Sequence, residues 1–437
     1  MWFEEPTTSD KSPIDFNLLL IPIPDNGPLK ARPFWLILLL LVVGYSGYYL
    51  CRSSFSVAKP LLLEAFPHLD KAKLGFIASI GTLLYALGKL FHGPLADRIG
   101  GKPLFLYGML GAILFSMVFG FGGPPFFLLA WAGNRFVQSS GWPGMVRIVS
   151  EWTPRQIYGR AMAFVSLSYL FGDFLSRLLL GFWVKQGVGW SGLFTYSAMG
   201  LALIFLPIAF FLREKPEHSL KEETVQAIDP NFKASIFKRP DFWMVCMLSF
   251  CVTLLRETFN EWTPTYLNEF AKMSKGDAGQ ASSIFPLLGG VSVLVVGFLS
   301  DRIARADSPS HRLKMIPVGL LVSGLLLGIL AFVPGLSSLT IVILVGAIAF
   351  ALIGPYSLLA GATSLDFGGG KSSATASGWI DGIGYFGGII SGQGIAEIAQ
   401  KWGWGAAMGS LAGICVVAAV VLAVSLNVQA KKVPYLG

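Results

Sequence analysis

Apolar stretches of about twenty residues recur along most of the chain, separated by short polar or Gly- and Pro-containing segments. A helix needs about that length to cross a hydrocarbon layer roughly 30 Å thick. Runs that meet it fall near 34–57, 74–95, 103–121, 125–148, 160–183, 191–212, 242–266, 278–299, 315–333, 338–361, 373–396 and 403–426. The first is too long for a signal-peptide core and no small-residue cleavage site follows it, so it reads as a retained span. The longest polar interruption, R-E-K-P-E-H-S-L-K-E-E-T and onward, divides the spans into two groups of six. The pattern therefore predicts an all-α membrane protein with twelve transmembrane helices in two six-helix pseudo-symmetric halves. Its parts are a loosely ordered N-terminal segment (1–33), a first half (34–212), a mobile linker (213–240) with a short amphipathic helix near I-F-K-R-P, a second half (241–427) and a tail (428–437).

Composition sharpens this picture. The chain is 54% hydrophobic and 13% charged, whereas soluble domains are about 25% charged. Its 51 glycines and 34 phenylalanines suit close-packed membrane helices. The formal charge of +8 is unevenly spread. With both termini cytoplasmic, Lys and Arg favour the cytoplasmic side by roughly three to one, which predicts an N-in, C-in topology. The charge thus sets orientation and implies no nucleic-acid partner. Lys59 counts among the outside-loop residues in this reading, and the cations left within spans are Arg52, Lys89, Arg135, Arg177 and Arg256. All four cysteines (Cys51, Cys246, Cys251, Cys415) sit in apolar runs without metal-ligand spacing and read as small buried hydrophobes. There is no phosphate-cradling G-x-x-x-x-G-K-[ST] loop, and the four histidines lie near span ends or in loops. Neither an enzyme nor a cofactor or metal is expected. The absence of an Asn-x-Ser/Thr sequon points to a prokaryotic source.

An internal repeat singles out two of the buried cations. Aligned on arginine, L-C-R-S-S-F-S-V-A-K-P and L-L-R-E-T-F-N-E-W-T-P both read R-x-[Ser/Thr]-Phe-x4-Pro: Arg52, Ser54, Phe55 and Pro60 match Arg256, Thr258, Phe259 and Pro264. Downstream, at the same separation, G-P-L-A-D-R (Gly93, Asp97, Arg98) matches G-F-L-S-D-R (Gly297, Asp301, Arg302). Burying an arginine in a membrane costs about 2.5–3.5 kcal/mol even on a lenient scale, which marks such residues as functional candidates. The first of these loops, G-P-L-A-D-R-I-G-G-K-P-L, resembles the signature loop of the major facilitator superfamily. Asp97 is placed to cap a helix start or to pair with Arg98 and its neighbours, contacts that would hold one conformation and break in another.

Helical periodicity puts Tyr45, Tyr48, Tyr49 and Arg52 on one side of the first span, and Tyr85 and Lys89 on one side of the second. Thr253, Asn260 and Thr263 flank Arg256. Two arginines, a lysine and several hydroxyls can thus converge between the halves, where transporters bind their cargo. A guanidinium fork matches phosphate or carboxylate and keeps its charge. Two such groups repel when empty, so an anion bridging them would favour closure. Asp173, four residues before Arg177, is positioned to pair with it, and Arg135 is read as another internal ion pair. Glu257 points about 100° away from Arg256 on the helix and is expected to serve another helix. Asp381 has no partner the sequence names.

The same residues carry a family resemblance. G-Y-S-G-Y-Y-L-C-R-S-S-F-S-V-A-K-P resembles the first-span signature of the organophosphate:phosphate antiporter family, which includes glycerol-3-phosphate and hexose-6-phosphate carriers. Leu255-Arg256 followed by E-W-T-P-T-Y-L is similar to its seventh span. G-W-P (141–143), Gly354-Pro355 and Gly384-Tyr385-Phe386-Gly387-Gly388 also look like it. The resemblance implies Arg52 and Arg256 as phosphate ligands and Lys89, Tyr45, Tyr49, Tyr85 and Tyr385 as lining residues. Where those carriers have a His-Asn pair in span 5 this chain has Tyr169 and Leu170, and where they have a lysine after the first arginine it has Ser53. Arg135, in N-R-F-V-Q-S-S-G, instead resembles the fourth-span arginine of organic-anion symporters.

The leading expectation is a multi-pass carrier, monomeric and in the bacterial inner membrane, that exchanges a small organophosphate for inorganic phosphate. One alternative is an H⁺- or Na⁺-coupled carboxylate or sugar-acid carrier, favoured by Arg135, Asp173 and Asp381. The other is a membrane sugar-phosphate sensor.

Overall fold

The computed structural model describes residues 31–153, 155–215, 237–306, 315–360 and 362–432, and every regular element among them is helical. In chain order these are α1 (Ala31–Ala65), α2 (Lys71–Ile99), α3 (Gly101–Gly122), α4 (Pro124–Gln138), α5 (Gly141–Trp152), α6 (Arg155–Lys185) and α7 (Trp190–Phe211). After the inter-half segment come α8 (Pro240–Glu269), α9 (Lys275–Ala281), α10 (Ile284–Ala306), α11 (Met315–Phe332), α12 (Ser338–Ala360) and α13 (Ala362–Lys432). Among the described residues, 10 helical stretches are long and apolar enough to cross a membrane. Residues 1–30 of the expected N-terminal segment and most of the linker lie outside the described residues, and 31–33 belong to α1.

Local chemistry explains the element ends. Asp70 caps α2 by accepting the Lys73 N–H at 2.7 Å, and Ser274 caps α9 through the Asp277 N–H at 3.1 Å. Paired serines interrupt two of the apolar runs. Ser139 and Ser140 turn their hydroxyls back to the carbonyls of Phe136 and Val137 between α4 and α5, and Ser282 does the same to Gly279 between α9 and α10. Within α13, Gly403 takes a φ of 82°, a left-handed conformation that only glycine adopts freely. Residues before it pack on α2 and α8, with Gly392 against Gly75 and Gly387 against Phe250. Residues after it run back along α11, with Gly405 near Ala331 and Gly324 near Cys415.

The halves share one sealed end. A core cluster there joins Phe55, Leu62, Leu74, Phe119 and Trp131 of the first half to Trp262, Tyr266, Leu267 and Ile395 of the second, while a separate cluster fills the first half around Tyr48, Phe105 and Met145. Close approach depends on missing side chains. A Cβ on Gly75 would lie 2.6 Å from the Gly392 carbonyl oxygen, and one on Gly181 would lie 2.8 Å from that of Gly276. Polar bonds reinforce the contact. Ser56, one helical turn beyond Arg52, donates to the carbonyl of Asn260, its repeat equivalent 204 residues on, at 2.8 Å. The Lys71–Glu269 pair (2.9 Å), the Lys185–Asp277 pair (2.6 Å) and the Lys275–Glu64 pair lie at the rim. Toward the opposite end, a Cβ added to Gly93 or to Gly297 would meet nothing within 4 Å.

Asp97 does not cap the helix that follows it. It is exposed, and the α3 N-terminus is bound instead by Glu214, whose carboxylate accepts the N–H groups of Gly101 (2.6 Å) and Lys102 (2.5 Å). An anion from beyond α7 thus satisfies the positive helix end. The side chains of Asp301 and Arg302 lie outside the described residues.

Gly75→Leu is predicted to force α2 and α13 apart and open the sealed end. In a variant lacking the native cysteines, maleimide labelling of Ser56→Cys should rise several-fold when Gly75→Leu is added. Unchanged labelling would show that this contact does not hold the seal.

Candidate substrate-binding cavity

A cavity of about 720 Å³ lies between the halves, bounded at one end by the sealed contact. This volume is typical of small-molecule sites. All the residues expected to line it do so: Tyr45, Tyr49 and Arg52 from α1, Tyr85 and Lys89 from α2, Arg256 from α8 and Tyr385 from α13. Tyr48 departs from the periodicity argument. It is buried against α3, where its hydroxyl donates to the Phe105 carbonyl at 2.5 Å.

Arg52 is aimed by neutral groups. Its Nε donates to Gln138 Oε1 at 3.2 Å and one terminal nitrogen donates to the Tyr49 hydroxyl at 3.2 Å. The guanidinium stands over the Tyr85 ring, 4.5 Å from its centroid, a contact worth about 0.5–2 kcal/mol. Gln138 is fixed in turn by donating to Asn134 Oδ1 (2.5 Å), while the Asn134 amide donates to Ser116 Oγ (3.0 Å). This relay from α3 through α4 to α1 was not picked out from the sequence, although both residues stand in N-R-F-V-Q-S-S-G. Spacing of i, i+4 puts Asn134 and Gln138 on one face.

Other cations are paired. Arg256 contacts Glu257 Oε1 at 3.0 Å, against the expectation that the glutamate serves another helix. The two Cα–Cβ bonds do diverge, but both side chains are long enough to curl together. Arg256 also faces the Tyr356 ring (5.1 Å), and its Nε has no hydrogen-bond partner. Lys89 meets Asp381 at 3.0 Å, which supplies the partner the sequence did not name and ties α2 to α13 across the interface. Arg177 and Asp173 pair as expected, Nε to Oδ1 at 2.9 Å, and Asp173 also accepts from Ser53 (2.5 Å). Arg177 reaches across to the Asn260 carbonyl (2.9 Å). Arg135, read from the sequence as an internal ion pair, makes no salt bridge among the described residues. It stacks near the Tyr85 ring at 4.7 Å, and its Nε has no hydrogen-bond partner.

The sequence reading also misplaced Lys59. It is fully buried within α1 and belongs to no loop. Its ammonium meets Glu261 Oε2 at 2.6 Å and the Glu261 carbonyl at 2.9 Å, over the Trp262 ring at 4.1 Å. The predicted span ended at residue 57, but α1 continues through Pro60 to Ala65. The pair closes the floor of the cavity between α1 and α8. The cations lining the cavity are Arg52, Lys89, Arg135, Arg177 and Arg256, and its carboxylates are Asp173, Glu257, Glu261 and Asp381. Glu261 is already taken by Lys59. The lining therefore presents more positive than negative charge, which suits an anion.

The chain is also similar to known proteins. The model of the Major Facilitator Superfamily matches residues 41–392. A probable hexose phosphate transport protein of Chlamydia trachomatis is 26% identical, over 86% of this chain and 87% of its own. The glycerol-3-phosphate transporter of Bacillus subtilis is 23% identical, over 89% and 91%. The membrane sensor protein UhpC of Salmonella typhimurium is 24% identical, over 94% and 96%. Among solved structures, a bacterial homologue of the human lysosomal transporter Spinster, inward-facing and unoccupied, superposes with a TM-score of 0.75 at 17% identity, covering 94% of this chain and all of its own. That likeness is one of fold.

Removing one member of a buried ion pair strands the other, at a cost of about 3–5 kcal/mol, whereas replacing both by apolar groups is often neutral. Lys59→Met is therefore predicted to lower the thermal midpoint of the purified protein sharply, and Lys59→Met/Glu261→Met to recover most of the loss. A double variant as unstable as the single one would show that the pair does more than close the floor.

Proposed function

The chain belongs to the Major Facilitator Superfamily, and from that premise we propose that it is a secondary carrier that exchanges an organophosphate, a glycerol-3-phosphate or sugar phosphate, for inorganic phosphate. One observation carries this reading: a cavity between two repeated halves, with Arg52 and Arg256 at equivalent positions and more cations than carboxylates in its wall. The names of the hexose phosphate and glycerol-3-phosphate relatives support the substrate class. An integral multi-pass membrane protein with this lining is a transporter and not an enzyme.

The topology follows from the same reading. Taking α4 with α5 and α9 with α10 as single crossings, and α13 as two crossings that meet at Gly403, gives twelve. Both termini then lie on one side, and the Lys and Arg distribution puts that side in the cytoplasm. The sealed end faces outward and the cavity is reached from inside. Alternating access needs the opposite arrangement as well. Lys59–Glu261, Arg177–Asn260 and the rim pairs must part, and the faces carrying Gly93 and Gly297 must meet.

The anion supplies the difference between the states. In the empty cavity, guanidinium groups brought closer by closure repel one another, and a bound phosphate ester removes that cost. Exchange without leak follows, because an empty carrier does not readily turn over. Tyr169 and Leu170 line the wall at the span-5 positions where the carriers it resembles have His and Asn, so the organic part of the ester meets a less polar surface here. The similarity to a membrane sensor favours a second reading, in which ligand binding signals without flux.

Purified protein in phosphate-loaded liposomes should take up glycerol-3-phosphate or glucose 6-phosphate faster than in phosphate-free liposomes. Uptake driven by a pH gradient and indifferent to internal phosphate would contradict exchange, and binding without flux would favour the sensor. Arg52→Lys and Arg256→Lys are each predicted to reduce exchange to background, since lysine keeps the charge and loses the fork. Near-normal exchange by either inserted variant would place the site elsewhere.

A further inference from the structure

Arg135 has no part in the exchange described above, yet it is built into the same wall. It lies on α4, only 4% exposed. Gly81 of α2 makes its place: an added Cβ there would sit 3.0 Å from Arg135 Cγ and 2.6 Å from the Trp131 ring. The guanidinium thereby comes to the Tyr85 ring at 4.7 Å, beside that of Arg52 at 4.5 Å from the same ring. Two guanidinium groups thus share one aromatic ring, with the Lys89 ammonium 5.5 Å from its centroid.

Among the described residues neither guanidinium forms a salt bridge, although the Glu261 carboxylate lies within Coulombic range of Arg135. Each carboxylate in the lining is held by another cation: Asp173 by Arg177, Glu257 by Arg256, Glu261 by Lys59 and Asp381 by Lys89. Arg52 is held by the neutral oxygens of Gln138 and Tyr49, and the buried Nε of Arg135 bonds to nothing. An arginine kept for packing in a membrane interior is normally given a partner, because leaving it without one is costly. Here the fold spends a glycine to hold a second unmatched guanidinium against the first.

We propose that Arg135 is a ligand-contact residue that forms with Arg52 a two-cation clamp in the first half, and that the site therefore selects dianionic headgroups, a phosphate monoester or inorganic phosphate, over monoanions such as sulfate esters and sugar acids. This rests on the carrier reading of the same cavity and refines it. The charge of the ligand is matched mainly within one half, and Arg256, already paired with Glu257, is the contact offered by the other. Tyr85 is the spacer that keeps both guanidinium groups at the cavity wall.

The test compares glucose 6-phosphate with glucose 6-sulfate, which share a sugar and differ in charge, by thermal shift of the purified full-length protein at about pH 8, where the phosphate ester is a dianion. The wild type should require at least about tenfold more sulfate than phosphate ester for the same stabilisation, the scale of one lost charge-assisted contact. Arg135→Gln should bring the two ligands to within about threefold, while its ligand-free thermal midpoint equals or exceeds that of the wild type, because an unmatched cation has been removed. Arg135→Lys should bind both more weakly and keep the preference for phosphate. If Arg135→Gln keeps the wild-type preference, or if its ligand-free midpoint falls and Arg135→Lys restores it, Arg135 is structural and the assignment is wrong while the carrier reading stands. If the wild type is stabilised by neither ester, the carrier reading fails and takes this assignment with it.

Discussion

Two guanidinium groups held without a salt bridge at the centre of a membrane protein are the constraint on which the structure turns. Arg52 is oriented by an amide, a phenol and an aromatic face, and none of these cancels its charge. Arg135 is held against the same ring with a nitrogen left unbonded. Such an arrangement is unfavourable when empty and becomes favourable when an anion enters. Much of the surrounding sequence serves that geometry: Asn134 and Gln138 on one face of α4, glycines on α2 where α4 approaches, and tyrosines that accept cations without neutralising them.

The sealed end follows a different logic. There the charges that join the halves are paired. Lys59 and Glu261 meet beside the Trp262 ring, and the rim pairs, Ser56 and the Gly75–Gly392 contact bring the halves within backbone distance. Matched charges and close packing stabilise one conformation without needing a ligand, and unmatched charges in the cavity await one. The contrast gives the two halves a reason to move. The cost of separating the seal is offset only when the cavity charges have been neutralised and the opposite faces, open at Gly93 and Gly297, can approach.

The sequence made some of this legible and not the rest. Span positions could be read because hydrocarbon thickness fixes helix length. Arg52 and Arg256 stood out because a repeat places them at equivalent points, and the lining tyrosines followed from helical periodicity. What failed was anything set by side-chain reach or by packing between helices. Lys59 looked like a loop residue because the apolar run was ended at residue 57, but the helix passes on through Pro60 and buries the lysine. Glu257 diverges from Arg256 at Cβ, yet the two long side chains meet. Tyr48 has the right periodicity, but its hydroxyl finds a carbonyl on α3. Arg135 looked like half of an ion pair, and only the positions of four carboxylates on other helices reveal that each forms its salt bridge with another cation. Glu214 at the start of α3 was invisible because its target lies more than a hundred residues away.

The central claim is that an anion, by neutralising these cations, lets the open end close. Spin labels at Arg98 and Phe298, near the open-end termini of α2 in one half and α10 in the other, measure that directly by electron–electron distance spectroscopy. The account predicts a long distance in anion-free buffer and a second, shorter distance that inorganic phosphate populates. A distribution that phosphate leaves unchanged, or one already short without any anion, would contradict it.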